Sequence, residues 1–204
     1  MEKNRLEALS DGVFAVAITL LVLDVRLPPG VAYADLGGAL VQLAPKILSY
    51  LLSFLVVGVY WSIHHSAFGR LRRIDGTVLF LNLMLLLLVT FMPFPTILMG
   101  EYPLTTLPLA IYGVCLIAAN FIGFIGVLHL HRRPELLHPV FAANFLGGQW
   151  PVYLVVNLLY LIGVVLAFYS PAASYGVFFA VLIGVGFNIC REISRAGAAK
   201  NAPE

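Results

Sequence analysis

The sequence predicts an all-α integral membrane protein with six transmembrane helices, and three observations predict it. Of 204 residues, 61% are hydrophobic and 11% charged, with a mean hydropathy of +0.96, whereas a soluble domain carries about 25% charged residues. Long intervals contain no Asp, Glu, Lys or Arg, and each suits one or two helices of roughly 20 apolar residues. Lysine and arginine also gather on one side of the loops those helices define. The apolar runs are continuous rather than alternating, which excludes a β-barrel. Six spans and short loops leave no room for a soluble catalytic domain, so no enzyme is expected and residues 1–204 read as one membrane domain.

The first span is expected at about 6–25. It is not a cleaved leader, because Glu7 and Asp11 stand where a basic region and an apolar core belong and no small-residue cleavage site follows. The second (47–69), third (76–98) and fourth (105–128) spans follow from charge-free intervals, with Pro93 and Pro95 ending or kinking the third helix. Residues 136–190 hold no formal charge, too long an interval for one helix. The turn-rich run Ser170-Pro171-Ala172-Ala173-Ser174-Tyr175-Gly176 divides it into spans at 145–169 and 175–190. An even number of spans puts both termini on one side. Lys3, Arg5, Arg70, Arg72, Arg73, Arg132, Arg133, Arg191, Arg195 and Lys200 lie on that side, and only Arg26 and Lys46 on the other. The positive-inside rule makes it the cytoplasm. Cys115 and Cys190 both sit in apolar runs and read as small buried thiols rather than a disulfide framework.

The first span is unlike the others. Its charge-free stretch, 12–23, covers only about 18 Å at ~1.5 Å per residue, so crossing the bilayer carries Glu7 or Asp11 to membrane depth. A carboxylate at the bilayer centre costs about 2.5–3.5 kcal/mol on insertion scales, so Asp11 is expected to face protein or water. Gly12, Val16, Thr19, Leu20 and Leu23 form one helical stripe. Periodicity alone reads this stripe as a helix–helix packing seam. His64-His65 follow Trp61 near the cytoplasmic end of the second span, and His129 and His131 end the fourth. Neighbouring histidines point about 100° apart on a helix and cannot share one metal or haem, so hydrogen bonding to neighbours is the expected role and no metal or cofactor is expected. Asn82, Asn157 and Asn188 read as polar glue between helices.

The run Arg5-Leu6-Glu7-Ala8-Leu9-Ser10-Asp11-Gly12 resembles the signature Arg-x-x-x-Phe-Ser-Asp-Gly that opens the first helix of the transmembrane protein 175 family, with Leu9 where phenylalanine is usual. The continuation through Leu23, Trp61 with His64-His65, and Asn82 with Phe94-Pro95-Thr96 resemble the family too. These are potassium channels without a P-loop filter. The resemblance implies a homotetramer in the lipid bilayer whose first helices line a central pore. It places the main hydrophobic constriction on Val16 and the next narrow layers on Leu20 and Leu23, with the Thr19 hydroxyl between. Potassium ions are the implied permeant species, with proton permeation left open. A ring of aliphatic side chains gates by dewetting. Arg5, Ser10, Asp11 and one of His64 or His65 are the expected network bracing the inner end of that helix around Gly12. A bacterial plasma membrane is the implied location, and nothing points to nucleic acid. The alternative is a proton-coupled secondary transporter using Asp11 and an inner-end histidine. Asp24 and Asp35, on the outside, would weakly concentrate cations.

Overall fold

The computed structural model describes residues 2–141 and 150–200, with side chains through Arg191. The described elements are helices: α1 Lys3–Leu20, α2 Leu36–Gln42, α3 Ala44–Arg70, α4 Gly76–Phe91, α5 Pro93–Glu101, α6 Thr106–Arg132, α7 Trp150–Ala167 and α8 Pro171–Lys200. Tight 3-10 turns at Leu21–Asp24, Tyr33–Asp35 and Pro134–Leu136 join them. Six segments are long and apolar enough to cross a bilayer: Lys3–Asp24, Ala44–Arg70, Gly76–Glu101, Thr106–Arg132, Trp150–Ala167 and Pro171–Arg191. The chain is an integral multi-pass membrane protein.

These six segments overlap the charge-free intervals of the sequence, with one difference. Ser170–Gly176 is not a loop but the start of α8. Pro171 occupies the first helical position, where its missing N–H is no loss. Ser170 caps it, its Oγ accepting from the Ala173 amide at 3.4 Å and its carbonyl from the Ser174 amide at 3.1 Å. Residues 145–149 of the expected fifth span lie outside the described residues. The third span bends as its prolines require: α4 stops at Phe91, and α5 begins at Pro93 after one intervening residue.

The chain zigzags between two ends of the bundle. At the near end Lys3, Arg70 and Arg132 cluster with the loops after α3 and α6. Lys3 Nζ donates to the Leu71 carbonyl at 2.8 Å, and an antiparallel bridge pairs Leu71 with Leu137. Leu6, Phe68, Leu71 and Leu137 close this end with a small apolar cluster. At the far end Lys46 Nζ reaches Asp24 Oδ1 at 3.2 Å and Glu101 Oε1 at 3.7 Å. Asp24, expected to concentrate cations outside, thus shares Lys46 with Glu101.

In lipid, apolarity does not hold helices together, so close contact and buried polar bonds must. Helix α6 packs on α7, α7 on α8, and α3 on α5, while α1 rests on α3 and α4. Phe178 of α8 wedges between two glycines: a Cβ at Gly163 would lie 2.6 Å from its Cε1, and one at Gly113 would lie 2.9 Å from its Cζ. Gly163→Val is therefore expected to destabilise the fold by about 1–3 kcal/mol through overpacking, read as a lower midpoint of thermal unfolding in detergent. Gly126→Val, with open space at its Cβ, is the control. The free thiols divide: Cys115 is buried as expected, but Cys190 is exposed on α8.

Candidate functional site

Helix α1 has two apolar faces with different fates. Leu6, Ser10, Phe14, Ala17 and Leu21 are buried against α3 and α4. The stripe containing Gly12, Val16, Thr19, Leu20 and Leu23 points away from the subunit. Val16 is 56% exposed, Leu20 44% and Leu23 66%. The packing-seam reading of this stripe is thus corrected: the intrasubunit seam runs along the other side of the helix. Thr19 Oγ1 donates to the carbonyls of Val16 at 2.9 Å and Ala15 at 3.1 Å. Its proton is satisfied within the helix, and its lone pairs remain available to an outside group.

Two polar links hold the near half of α1. The first is buried. Asn82 of α4 donates from Nδ2 to Ser10 Oγ at 3.1 Å, and Ser10 donates to the Leu6 carbonyl at 2.9 Å. Asn82 Oδ1 lies 2.7 Å from His64 Nε2, so the neutral imidazole carries its proton on Nε2. The His64 ring stacks on Phe68 and tilts against Phe14. The second link is more exposed: Trp61 Nε1 donates to Asp11 Oδ1 at 2.8 Å, Trp61 stacks on His65, and His65 Nδ1 lies 3.8 Å from Glu7 Oε1.

The expected network is therefore split. The structure joins Ser10 to His64 through Asn82, and it puts Asp11 with Trp61. Asp11 follows Ser10 by one residue, about 100° around the helix, and so meets a different neighbour. Arg5 is exposed near the start of α1, and Gly12 is exposed with open space beside it. Asp11 bonds an indole rather than a histidine, so no Asp–His proton couple forms there. Asn82 is interhelical glue as expected. Asn188 is not: it bonds the Gly184 carbonyl of its own helix at 3.2 Å. Sequence reasoning passed over Asn120, which donates to the Tyr153 carbonyl on α7 at 2.9 Å. Among the described residues no group of three or more His, Cys, Asp or Glu is placed to hold a metal ion.

Just before α4, Asp75 Oδ2 lies 2.8 Å from His129 Nε2 near the end of α6, while Asp75 Oδ1 caps α4 by accepting from the Val78 amide at 2.9 Å. Burial alone would raise the Asp75 carboxyl, but the Val78 amide and His129 outweigh it and hold the group below the usual carboxylate range. A depressed carboxyl contributes stability that is present above its unfolded value and disappears as pH falls through its folded value. Asp75→Asn is therefore expected to lower stability at neutral pH, with the gap to the parent closing below about pH 4. Acid unfolding followed by tryptophan fluorescence reads this directly.

Comparison with known proteins follows the same residues. The family described as endosomal/lysosomal potassium channel TMEM175 matches residues 5–93, the first two spans and the third as far as its proline break. A potassium channel of Streptomyces collinus is 33% identical, covering 97% of this chain and 98% of its own. The endosomal/lysosomal proton channel TMEM175 of Danio rerio is 32% identical over 66% of this chain, which spans only 26% of that longer protein. The crystal structure of a lysosomal potassium-selective channel TMEM175 homolog from Chamaesiphon minutus superposes with a TM-score of 0.77 at 32% identity, covering 92% of this chain and 97% of that one. With a relative matched end to end and a shared fold, the chain belongs to the TMEM175 family.

Proposed function

We propose that this protein is a passive, potassium-preferring cation channel in which copies of α1 surround a central pathway, and that protons also permeate. The observation that carries this is the outward stripe of α1. A helix at membrane depth that exposes Gly12 and the Thr19 hydroxyl beside Val16, Leu20 and Leu23 is poorly matched to lipid on that face. Copies of the same helix would cover it. Four six-helix units related by rotation, each spanning 1–204, form a closed ring by repeating one contact. In that ring Val16 would be the main constriction and Leu20 and Leu23 the next layers, with Thr19 oxygens offering the polar contact between them. Ser10, Asn82 and His64, with Asp11 on Trp61, would fix α1 against its own subunit so that the constriction keeps its diameter.

An aliphatic ring excludes water until the helices move apart, so permeation is gated by wetting and selectivity comes from the cost of shedding part of the ion's hydration. Both termini would lie in the cytoplasm of a bacterial plasma membrane, where the basic near end belongs. No cofactor is needed, because the ion is the only substrate. The animal and bacterial relatives named above support both permeant ions. Full-length protein in liposomes is expected to pass potassium down its gradient without ATP or a counter-ion, at a rate linear in driving force. Sealed liposomes containing correctly assembled protein would overturn the proposal.

A further inference from the structure

The bundle interior holds a file of hydroxyls that neither the α1 stripe nor the links bracing it uses. On α3, Ser49, Ser53 and Tyr60 recur at intervals of four and seven and share one face. At the far end Ser49 Oγ and the Tyr175 hydroxyl of α8 are 3.0 Å apart. One turn deeper, Thr96 of α5 donates to Ser53 Oγ at 2.7 Å and Ser53 donates to the Tyr112 hydroxyl of α6 at 3.2 Å. Deeper again, the Tyr60 hydroxyl donates to the Leu116 carbonyl at 3.1 Å and adjoins the hydroxyl of Tyr160. Leu116 is one turn beyond Tyr112 on α6. The file breaks twice, between Ser49 and Ser53, which stand one turn apart on α3, and between Tyr112 and Tyr60, and each break needs an internal water to make the hydroxyls continuous.

Both ends of the file open on crevices. A cavity of about 380 Å³, lined by Tyr60, Tyr160, His64, Asn82 and Asn120, reaches the near end beside Arg70. Another of about 380 Å³, lined by Pro45, Leu48, Leu104 and Tyr175, lies at the far end. Near the ends of the file, His64 Nδ1 and Ser174 Oγ are buried without a protein partner among the described residues, as is Asn157 Oδ1 on α7. Buried polar atoms of that kind are satisfied by internal water. Between the crevices Ser49, Ser53 and Tyr112 are at most 1% exposed, so no metal cation can pass.

We infer that each subunit carries its own proton path, from the far-end crevice through Tyr175 and Ser49, Ser53 and Tyr112, and Tyr60 to the near-end crevice, separate from the α1 stripe. At each hop an oxygen gains a proton as its own O–H bond breaks toward the next oxygen. Every hydroxyl ends with one proton, as it began, and resets by rotating. The proton enters from water in one crevice and leaves to water in the other, with no redox partner.

Planar bilayers under voltage clamp separate the two routes, reading potassium current in KCl and proton current across a pH gradient in N-methylglucamine buffer. Tyr112→Phe and Ser53→Ala are each expected to cut proton current roughly tenfold, because each removes a hydroxyl at a fully buried position without opening space for a water to replace it, and to leave potassium current unchanged. Val16→Phe is expected to do the reverse, losing potassium current and keeping proton current. Parent protein without proton current, hydroxyl variants conducting protons at the parental level, or Val16→Phe losing both currents together would overturn the inference. If the hydroxyl variants fail to assemble, proton current that outlives potassium current in Val16→Phe supports the path. Potassium current that persists in Val16→Phe sinks the central-gate proposal and leaves the hydroxyl variants to judge this one.

Discussion

Val16→Asn is expected to hold the pathway open, raising potassium flux into liposomes by roughly tenfold or more, since each ~1.4 kcal/mol removed from the wetting barrier is worth a factor of ten. The isopropyl group at position 16 is more exposed than the Leu20 side chain one turn on, and in a ring of copies it would dry the narrowest layer. An amide of similar reach offers water a donor and an acceptor instead. Val16→Ala widens the same layer without wetting it as strongly, so a smaller leak and a lower preference for potassium over sodium are expected. Parental flux in both variants would move the gate to another layer.

The second large effect is at Asn82. Asn82→Leu keeps the volume but leaves Ser10 Oγ without its donor and His64 Nε2 without its acceptor, both in a buried site. Unsatisfied groups of this kind cost about 1–3 kcal/mol each. Interhelical bonds in membranes lie toward the low end because the separated helices find other partners. A net loss of about 1–3 kcal/mol is expected, lowering Tm by roughly 2–4 °C per kcal/mol for a chain of this size. The Ser10→Ala and Asn82→Leu double variant should lose less than the sum of the two, because they share one link. Asn188→Leu, at an exposed position whose amide bonds the Gly184 carbonyl of its own helix, is expected to be nearly neutral. Equal effects at Asn82 and Asn188 would show that the buried link does not anchor α1.

The membrane architecture was legible because charges are excluded from hydrocarbon and the gaps between them are long. Ser170 to Gly176 misled because proline and serine mark helix starts as readily as turns, and only the capping bonds separate the two. The stripe on α1 was legible as a stripe, but its partner was not. Both faces of α1 are apolar, so hydropathy cannot tell the face carrying Phe14 and Ala17, buried in the subunit, from the face carrying Val16 and Leu20, turned outward. The family resemblance supplied that choice. Ser10 with His64 was within reach of the motif, yet the motif also suggested that Asp11 joins them, and helix geometry directs it to Trp61. The hydroxyl file was hidden for a simpler reason. Its bonds cross between α3, α5, α6 and α8, joining residues such as Ser49 and Tyr175 that are 126 positions apart. Only the spacing of Ser49, Ser53 and Tyr60 hinted at a polar face on α3.

The claim on which the potassium pathway rests is geometric, and a structure of the assembled protein in lipid tests it most directly. The account expects the Val16 side chains of the copies to converge on the symmetry axis, with Leu20 and Leu23 stacked along the same conduit and Thr19 between. Val16 on the outer surface against acyl chains, with α1 away from any axis, would contradict it.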